Sequence, residues 1–168
     1  SKKFLLRGNS QELTFCQAVE RTFGCGLPKK SNTAAGGSGF PRLLWLGPGE
    51  WLIVTGVFDG NRLDESSLET FSGQHVQLLD LSDAYAVIGI MGTFAREVLA
   101  KGCSLDLHPR VFRSGNVART ILGRVQVIIH QVKDAPSYDV YVHRSIAEYL
   151  WDWLNDAGSE YGIRIISS

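Results

Sequence analysis

Cysteine is scarce in this chain and carries no pattern. Cys16, Cys25 and Cys103 are the only three, and no CxxC occurs. An odd count without framework spacing excludes a disulfide-stapled scaffold and fits a reducing compartment. An excess of one charge is missing too: 17 Lys+Arg offset 17 Asp+Glu. A nucleic-acid partner would call for a basic surplus, so that class is set aside. Near-zero net charge gives little electrostatic protection against association, which leaves room for a partner or an oligomer. No apolar run approaches the roughly 20 residues that a helical membrane span needs. The opening Ser-Lys-Lys-Phe does not read as a secretory signal. The expectation is a soluble, cytoplasmic protein with no membrane partner.

Catalytic and cofactor fingerprints are also missing. There is no GxSxG, no recognisable cysteine-nucleophile signature, no GxGxxG and no Walker A sequence. The glycine-rich stretch Ala35-Gly36-Gly37-Ser38-Gly39-Phe40 has no helix opening behind it and reads as a loop. Cys103, His108, His130 and His143 have no zinc-ligand spacing. No catalytic, cofactor-binding or metal-ligating residue is therefore assigned.

What is present is an ordinary globular composition. The 168 residues are 44% hydrophobic, 10% aromatic and 20% charged, which excludes disorder of the chain as a whole. A chain of this length buries roughly 70% of its unfolded surface and builds a core without staples. Phe4 to Arg7 reads as a strand. Asn9 and Glu12 suit a capping box for a helix to Phe23 with Leu13, Cys16, Val19 and Phe23 inward, closed by Gly24. Leu43–Leu46 and Trp51–Val54 form a hairpin around Gly47-Pro48-Gly49-Glu50, apolar enough to be covered on both faces. A weaker helix is expected over 61–72, with Leu68 and Phe71 inward. Strands follow at 76–81 and 85–91, then a Thr93-capped helix burying Phe94, Val98 and Leu99 and stopping at Gly102. The hairpin 117–122/125–130 turns at Gly123-Arg124, where glycine first suggests type II′. After a strand at 138–142, Ser145 and Glu148 suit a second capping box. Ile146, Tyr149, Leu150, Trp153, Leu154 and Ala157 make the clearest helical stripe in the chain.

An internal duplication can be read across these elements. Both first helices follow a glycine (Gly8, Gly92) and end in Gly-Cys (Gly24-Cys25, Gly102-Cys103). The fold class is α+β: a single domain of two pseudo-repeats, about 1–74 and 75–168, each strand-helix-hairpin-helix in outline. The polar, glycine-rich 29–42 segment is expected to be a mobile loop.

A few residues stand out against that frame. Asp80 and Asp83 could act as an acid–base pair, but carboxylates beside a turn more often accept its backbone N–H groups. Arg119 shares a strand face with Val117 and Ile121 and needs a carboxylate or water, with Asp80 and Asp106 as candidates. The loop Leu105 to Phe112 mixes apolar and ionisable residues. It serves either as a surface loop anchored by its Leu and Phe side chains or as a partner contact through His108 and Arg110. Trp151 lies about 140° around the helix from Ile146, on or near its outer face, where a tryptophan is either a rim-packing group or an interface anchor.

Several stretches together resemble the gamma subunit family of heterotetrameric sarcosine oxidase. They are Leu6-Arg7-Gly8, Trp45-Leu46-Gly47-Pro48-Gly49-Glu50-Trp51, Asp80-Leu81-Ser82-Asp83, the run from Val98 to Phe112, Ala118-Arg119-Thr120, and Arg144 to Trp151. They cover most of the chain outside the 29–42 loop; Gly49 and Ile146 depart from the common Asp and Phe of the family. The resemblance implies a fold like the folate-binding domain of glycine-cleavage aminomethyltransferase. It implies a complex that demethylates sarcosine oxidatively to glycine and hydrogen peroxide, and to methylenetetrahydrofolate when tetrahydrofolate is present. FAD, FMN, NAD and zinc would then sit on other subunits, and the partners would be the alpha, beta and delta chains, chiefly alpha. This chain would be a non-catalytic structural subunit with Trp151, His108 and Arg110 at its partner surface. The alternatives are a stand-alone folate or one-carbon binding module, and the matching subunit of a related N-methyl amino acid dehydrogenase.

Overall fold

The computed structural model describes residues 1–37, 39, 41–56 and 69–166. The described residues form two compact units. One comprises Ser1–Asp83 with Gly115–Ala118, and the other Ala84–Ser114 with Arg119–Ser168.

The first unit is built on a five-stranded sheet of order β2-β3-β4-β1-β5. Its strands are β1 (Lys2–Arg7), β2 (Ala34–Ala35), β3 (Arg42–Gly47), β4 (Glu50–Thr55) and β5 (Gln77–Asp80). Antiparallel register aligns Phe4 with Ile53 and Leu6 with Trp51, so alternate side chains of the central strands fall on one face. Helix α1 (Leu13–Phe23) covers that face, and Phe15, Ala18, Val19 and Phe23 join Phe4, Leu6, Leu43, Trp51, Ile53 and Phe71 in one core. On the opposite face Leu44 and Leu52 are equally buried, as their continuous apolar strands require.

The buried side of α1 differs from expectation. Leu13 is 71% exposed, and the inward stripe starts at Phe15. The Asn9–Glu12 turn, held by Gln11 N–H to Asn9 Oδ1 at 3.0 Å and Asn9 Nδ2 to Glu12 Oε1 at 3.0 Å, comes before the helix rather than capping it. Glu12 holds the cap position without a side-chain bond, while Gly24 closes the other end with φ 69° and an N–H bond to Glu20 O. Within the 29–42 segment, Ala34–Ala35 pair with β3, and Val117 N–H donates to Asn32 O at 2.8 Å. Of the helix expected over 61–72, residues 61–68 lie outside the described residues; Phe71 is buried.

The second unit holds a four-stranded sheet of order β6-β9-β8-β7, from β6 (Tyr85–Met91), β7 (Val117–Leu122), β8 (Val125–Lys133) and β9 (Ser137–His143). Ile88, Val140 and Ile129 align across three strands and are all buried. Helix α3 (Ala147–Gly158) packs against β9 and against α2 (Ala95–Ala100) through Leu150, Leu154 and Ala157. Several local expectations change here: Phe94 rather than Thr93 holds the cap position of α2, and Tyr149, read as part of the inward stripe of α3, is exposed. A 3-10 turn at Arg144–Ile146 leads into α3, so Ile146 occupies the cap position and the Ser145/Glu148 box does not form. Phe94 is 49% exposed rather than buried, because it precedes α2 and stacks on the Tyr161 ring at 4.7 Å. The β7–β8 turn has positive φ at both Gly123 (55°) and Arg124 (75°), which is type I′, the form that matches strand twist.

Arg124 thus holds a left-handed conformation that costs an L-residue about 1–2 kcal/mol. Arg124→Gly is expected to raise stability by about 0.5–1 kcal/mol, the relieved strain less the greater entropy of unfolded glycine. Chemical denaturation of the two proteins side by side checks this. A lower midpoint for the variant would mean that the arginine side chain contributes more than the turn strain costs.

Candidate functional site

The stretches that carry the family resemblance are largely consumed in packing. Gly8 N–H donates to Gly49 O at 3.1 Å, which joins the Leu6-Arg7-Gly8 stretch to the β3–β4 turn. A Cβ at Gly8 would lie 2.5 Å from Phe15 Cζ, so only glycine lets α1 reach the sheet there. Arg7 spans the neighbouring strands, donating to Glu50 Oε2 at 2.9 Å and to Gln77 Oε1 at 3.3 Å. In the Asp80–Asp83 stretch, Asp80 Oδ1 accepts the Ser82 N–H at 2.8 Å and Lys3 N–H donates to Ser82 Oγ at 3.1 Å. Partial burial pushes the Asp80 carboxyl up, but the Ser82 hydrogen bonds and the Lys2 and Lys3 ammonium groups together hold it below the ordinary aspartate value. These are turn-forming contacts, not those of an acid–base pair.

In the second unit Trp153 lies over two glycines. A Cβ at Gly102 would come within 2.6 Å of Trp153 Cη2, and one at Gly123 within 2.8 Å of Trp153 Cδ2. Gly123 N–H donates to Gly102 O at 3.2 Å, and Tyr149 OH donates to Gly123 O at 2.7 Å. The far end of α3 is latched by Lys101, whose ammonium donates to Ala157 O at 2.5 Å and to Glu160, and sits 4.8 Å from the Tyr161 ring centroid. The Glu160 hydrogen bond holds the Lys101 ammonium above its ordinary pKa.

The loop from Cys103 to Ser114 is a built structure. Leu107 and Phe112 are buried anchors. Asp106 Oδ1 accepts the His108 N–H at 2.9 Å, His108 Nδ1 accepts the Arg110 N–H at 3.2 Å, and His108 O accepts from Val111 and Phe112. His108 and Arg110 are both exposed. Trp151 is 38% exposed on the outer side of α3, where Asn155 Nδ2 donates to its carbonyl at 3.0 Å. Glu148, Asp152 and Asp156 are exposed along the same helix, Glu148 in its first turn, where the helix dipole favours a carboxylate.

Arg119 and Ile121 both face outward, while Val117 is buried. With Tyr85, Gln126 and Ile128 they line an open cavity of about 570 Å³ over the four-stranded sheet. The two carboxylates considered for Arg119 are engaged by Ser82 and His108 backbone groups. Cys103, His108, His130 and His143 do not converge, and no group of three or more metal-ligating side chains occurs among the described residues. Nor is any helix among them long and apolar enough to cross a membrane.

This architecture, a five-stranded and a four-stranded antiparallel sheet each packed with helices, is the aminomethyltransferase-type fold. The glycine cleavage system aminomethyltransferase T from Bartonella henselae superposes with a TM-score of 0.66 over 92% of this chain and 43% of that one, at 12% identity. A chain of the heterotetrameric sarcosine oxidase from Corynebacterium sp. U-96, solved in complex with pyrrole 2-carboxylate, matches with a TM-score of 0.88 and 28% identity. That match covers 99% of this chain and 83% of the other. Sarcosine oxidase subunit gamma from Corynebacterium sp. (strain P-1) is 32% identical over 144 residues, 86% of this chain and 70% of that one. The model of the sarcosine oxidase, gamma subunit family matches residues 7–160, and the chain belongs to that family.

Proposed function

We propose that this chain is the non-catalytic structural gamma subunit of a heterotetrameric sarcosine oxidase, held to its partners through the outer face of α3 and the 104–113 loop. The observation that carries the reading is the full-length likeness to a chain of a solved heterotetramer. The packing supports it: the family stretches are spent on joining strands, turns and helices, while Trp151, His108 and Arg110 are left outward. Exposed tryptophan and arginine are the side chains in which interface energy concentrates. In this reading FAD, FMN, NAD, zinc and the tetrahydrofolate chemistry belong to other subunits. Alpha is the chief partner, beside beta and delta, and the assembly works in the cytoplasm.

The isolated chain is expected to be colourless and without sarcosine-dependent peroxide formation, and to co-purify in stoichiometric amount when expressed with the other three subunits. Visible spectroscopy, a peroxide assay and quantitative gel densitometry read the three outcomes. A stoichiometric flavin band, turnover by the chain alone, or failure of the wild-type chain to enter the complex would overturn the reading. Micromolar tetrahydrofolate binding by the isolated chain would favour a folate module instead.

A further inference from the structure

Strand β6 stands at one edge of the four-stranded sheet and pairs only with β9. Its register runs from Tyr85 to Met91 without a bulge. The strand reads Tyr-Ala-Val-Ile-Gly-Ile-Met, with no charged residue and no proline. Gly92 N–H donates to Pro136 O, and Ala84 O accepts from Arg144 N–H, both towards β9. Backbone groups alternate along an antiparallel strand, so Ala86, Ile88 and Ile90 bond β9. Tyr85, Val87, Gly89 and Met91 then turn their N–H and C=O groups outward. Among the described residues no backbone hydrogen bond or bridge reaches that outer side. The opposite edge differs: on β7, Leu122 is bridged by Cys103, and beside it Gly123 N–H donates to Gly102 O. Charge, proline, bulges and short length keep an open edge from pairing, and β6 has none of them.

We infer that the free chain pairs with a second copy of itself through β6, joining two four-stranded sheets into one across a two-fold axis at Ile88. The edge is complementary to itself in that register. Val87 falls opposite Gly89 of the second copy and Tyr85 opposite Met91, so every outward N–H and C=O finds a partner. An axis at Val87 would leave Met91 unpaired, and one at Gly89 would leave Tyr85 unpaired. The side chains agree. A Cβ at Gly89 would have no neighbour closer than 4.0 Å, and Val87, 36% exposed, covers that bare backbone from across the axis. Met91, 68% exposed, meets the Tyr85 ring, a favourable thioether–aromatic contact. On the other face Ala86 meets Ile90, small against large. One strand a side is a small contact for a specific interface, so the dimer forms and dissociates with concentration. A two-fold contact closes on itself and withdraws the edge from open-ended association.

The test is sedimentation velocity of the isolated chain across the micromolar range, where the wild type is expected to rise from monomer towards twice the monomer mass. Val87→Lys charges the edge at both symmetry-related positions and should weaken the dimer about tenfold or more. Val87→Pro removes an outward N–H that β9 does not use, so it should weaken the dimer likewise while the sheet keeps its own bonds. Thermal melts at dilute concentration, where the wild type is monomeric, report the fold of each variant separately. Amide exchange reads the register: Tyr85, Val87, Gly89 and Met91 should slow as concentration rises, and Ala86, Ile88 and Ile90 should be slow throughout. A wild-type chain that stays monomeric, a dimer that both substitutions leave intact, or outward amides already protected in the monomer would each overturn the inference. Assembly with other subunits is a separate measurement, so its failure would remove the subunit reading and leave β6 pairing standing.

Discussion

Gly102→Ala is expected to destabilise the chain by about 2–3 kcal/mol, through overpacking rather than loss of any contact. The added methyl would stand 2.6 Å from Trp153 Cη2 and 3.0 Å from Gly123 N. The indole cannot slide along its seat, because Gly123 lies against its five-membered ring so closely that even a Cβ there would stand 2.8 Å from Cδ2. Nor can the two glycines separate freely: Gly123 N–H is bonded to Gly102 O, and Tyr149 OH holds Gly123 O. Either Trp153 leaves the seat or the β7–β8 turn shifts with its hydrogen bonds. For a chain of this size the loss corresponds to a fall in melting temperature of roughly 5–10 °C. Trp153→Phe shortens the ring that meets the new methyl, so the double variant should lose less than the two single losses added together. Thermal melts of the four proteins form the cycle. Strict additivity, or a Gly102→Ala melt at the wild-type temperature, would show that the indole seat is not what constrains this glycine.

The seat of Trp153 also marks how far sequence reasoning reaches. Trp153 is recognisable as part of a helical stripe, and Gly102 and Gly123 as a helix stop and a turn. Nothing local says that the two glycines meet under the same indole, since residues 102, 123 and 153 are brought together only by the hairpin folding back on the helix. Local signals served well where the backbone itself decides. The strands of both hairpins, the left-handed close at Gly24 and the buried Leu150, Leu154 and Ala157 follow from periodicity and glycine placement. They failed where two solutions compete over one or two residues. Asn9 and Ser145 both suit caps, yet a turn before α1 and a 3-10 turn before α3 claim those residues first. Leu13 and Phe15 both suit an inward stripe, and the larger ring takes the place beside Gly8 and Trp51. The turn at Gly123-Arg124 is type I′ because strand twist outweighs the preference of arginine against positive φ. The outward position of Trp151 was legible because it needs only helical geometry.

Trp151→Ala is expected to weaken assembly with the partner subunits by about 2 kcal/mol or more, roughly 30-fold in Kd, while leaving the isolated chain folded. The core side of α3 is complete without it: Leu150, Leu154 and Ala157 are the buried residues, and Trp153 is seated on its glycines. The bond from Asn155 goes to the Trp151 backbone carbonyl, which alanine keeps, and the indole, 38% exposed, packs on its own chain with its remaining surface. The melting temperature of the isolated variant should therefore fall by no more than a few degrees, with the larger loss in assembly. Arg110→Ala should cost assembly less, since an exposed arginine at the rim of an interface acts chiefly on encounter. It is also the cleaner probe of the 104–113 loop than His108→Ala. His108 Nδ1 accepts the Arg110 N–H inside the turn, so its removal alters the loop as well as the surface, whereas the Arg110 side chain can be cut back with its backbone bond kept. Co-purification of each variant with the alpha, beta and delta subunits, beside its melt alone, separates the two effects. A Trp151→Ala chain that assembles normally but melts far earlier would make Trp151 part of the chain's own core and move the partner surface elsewhere.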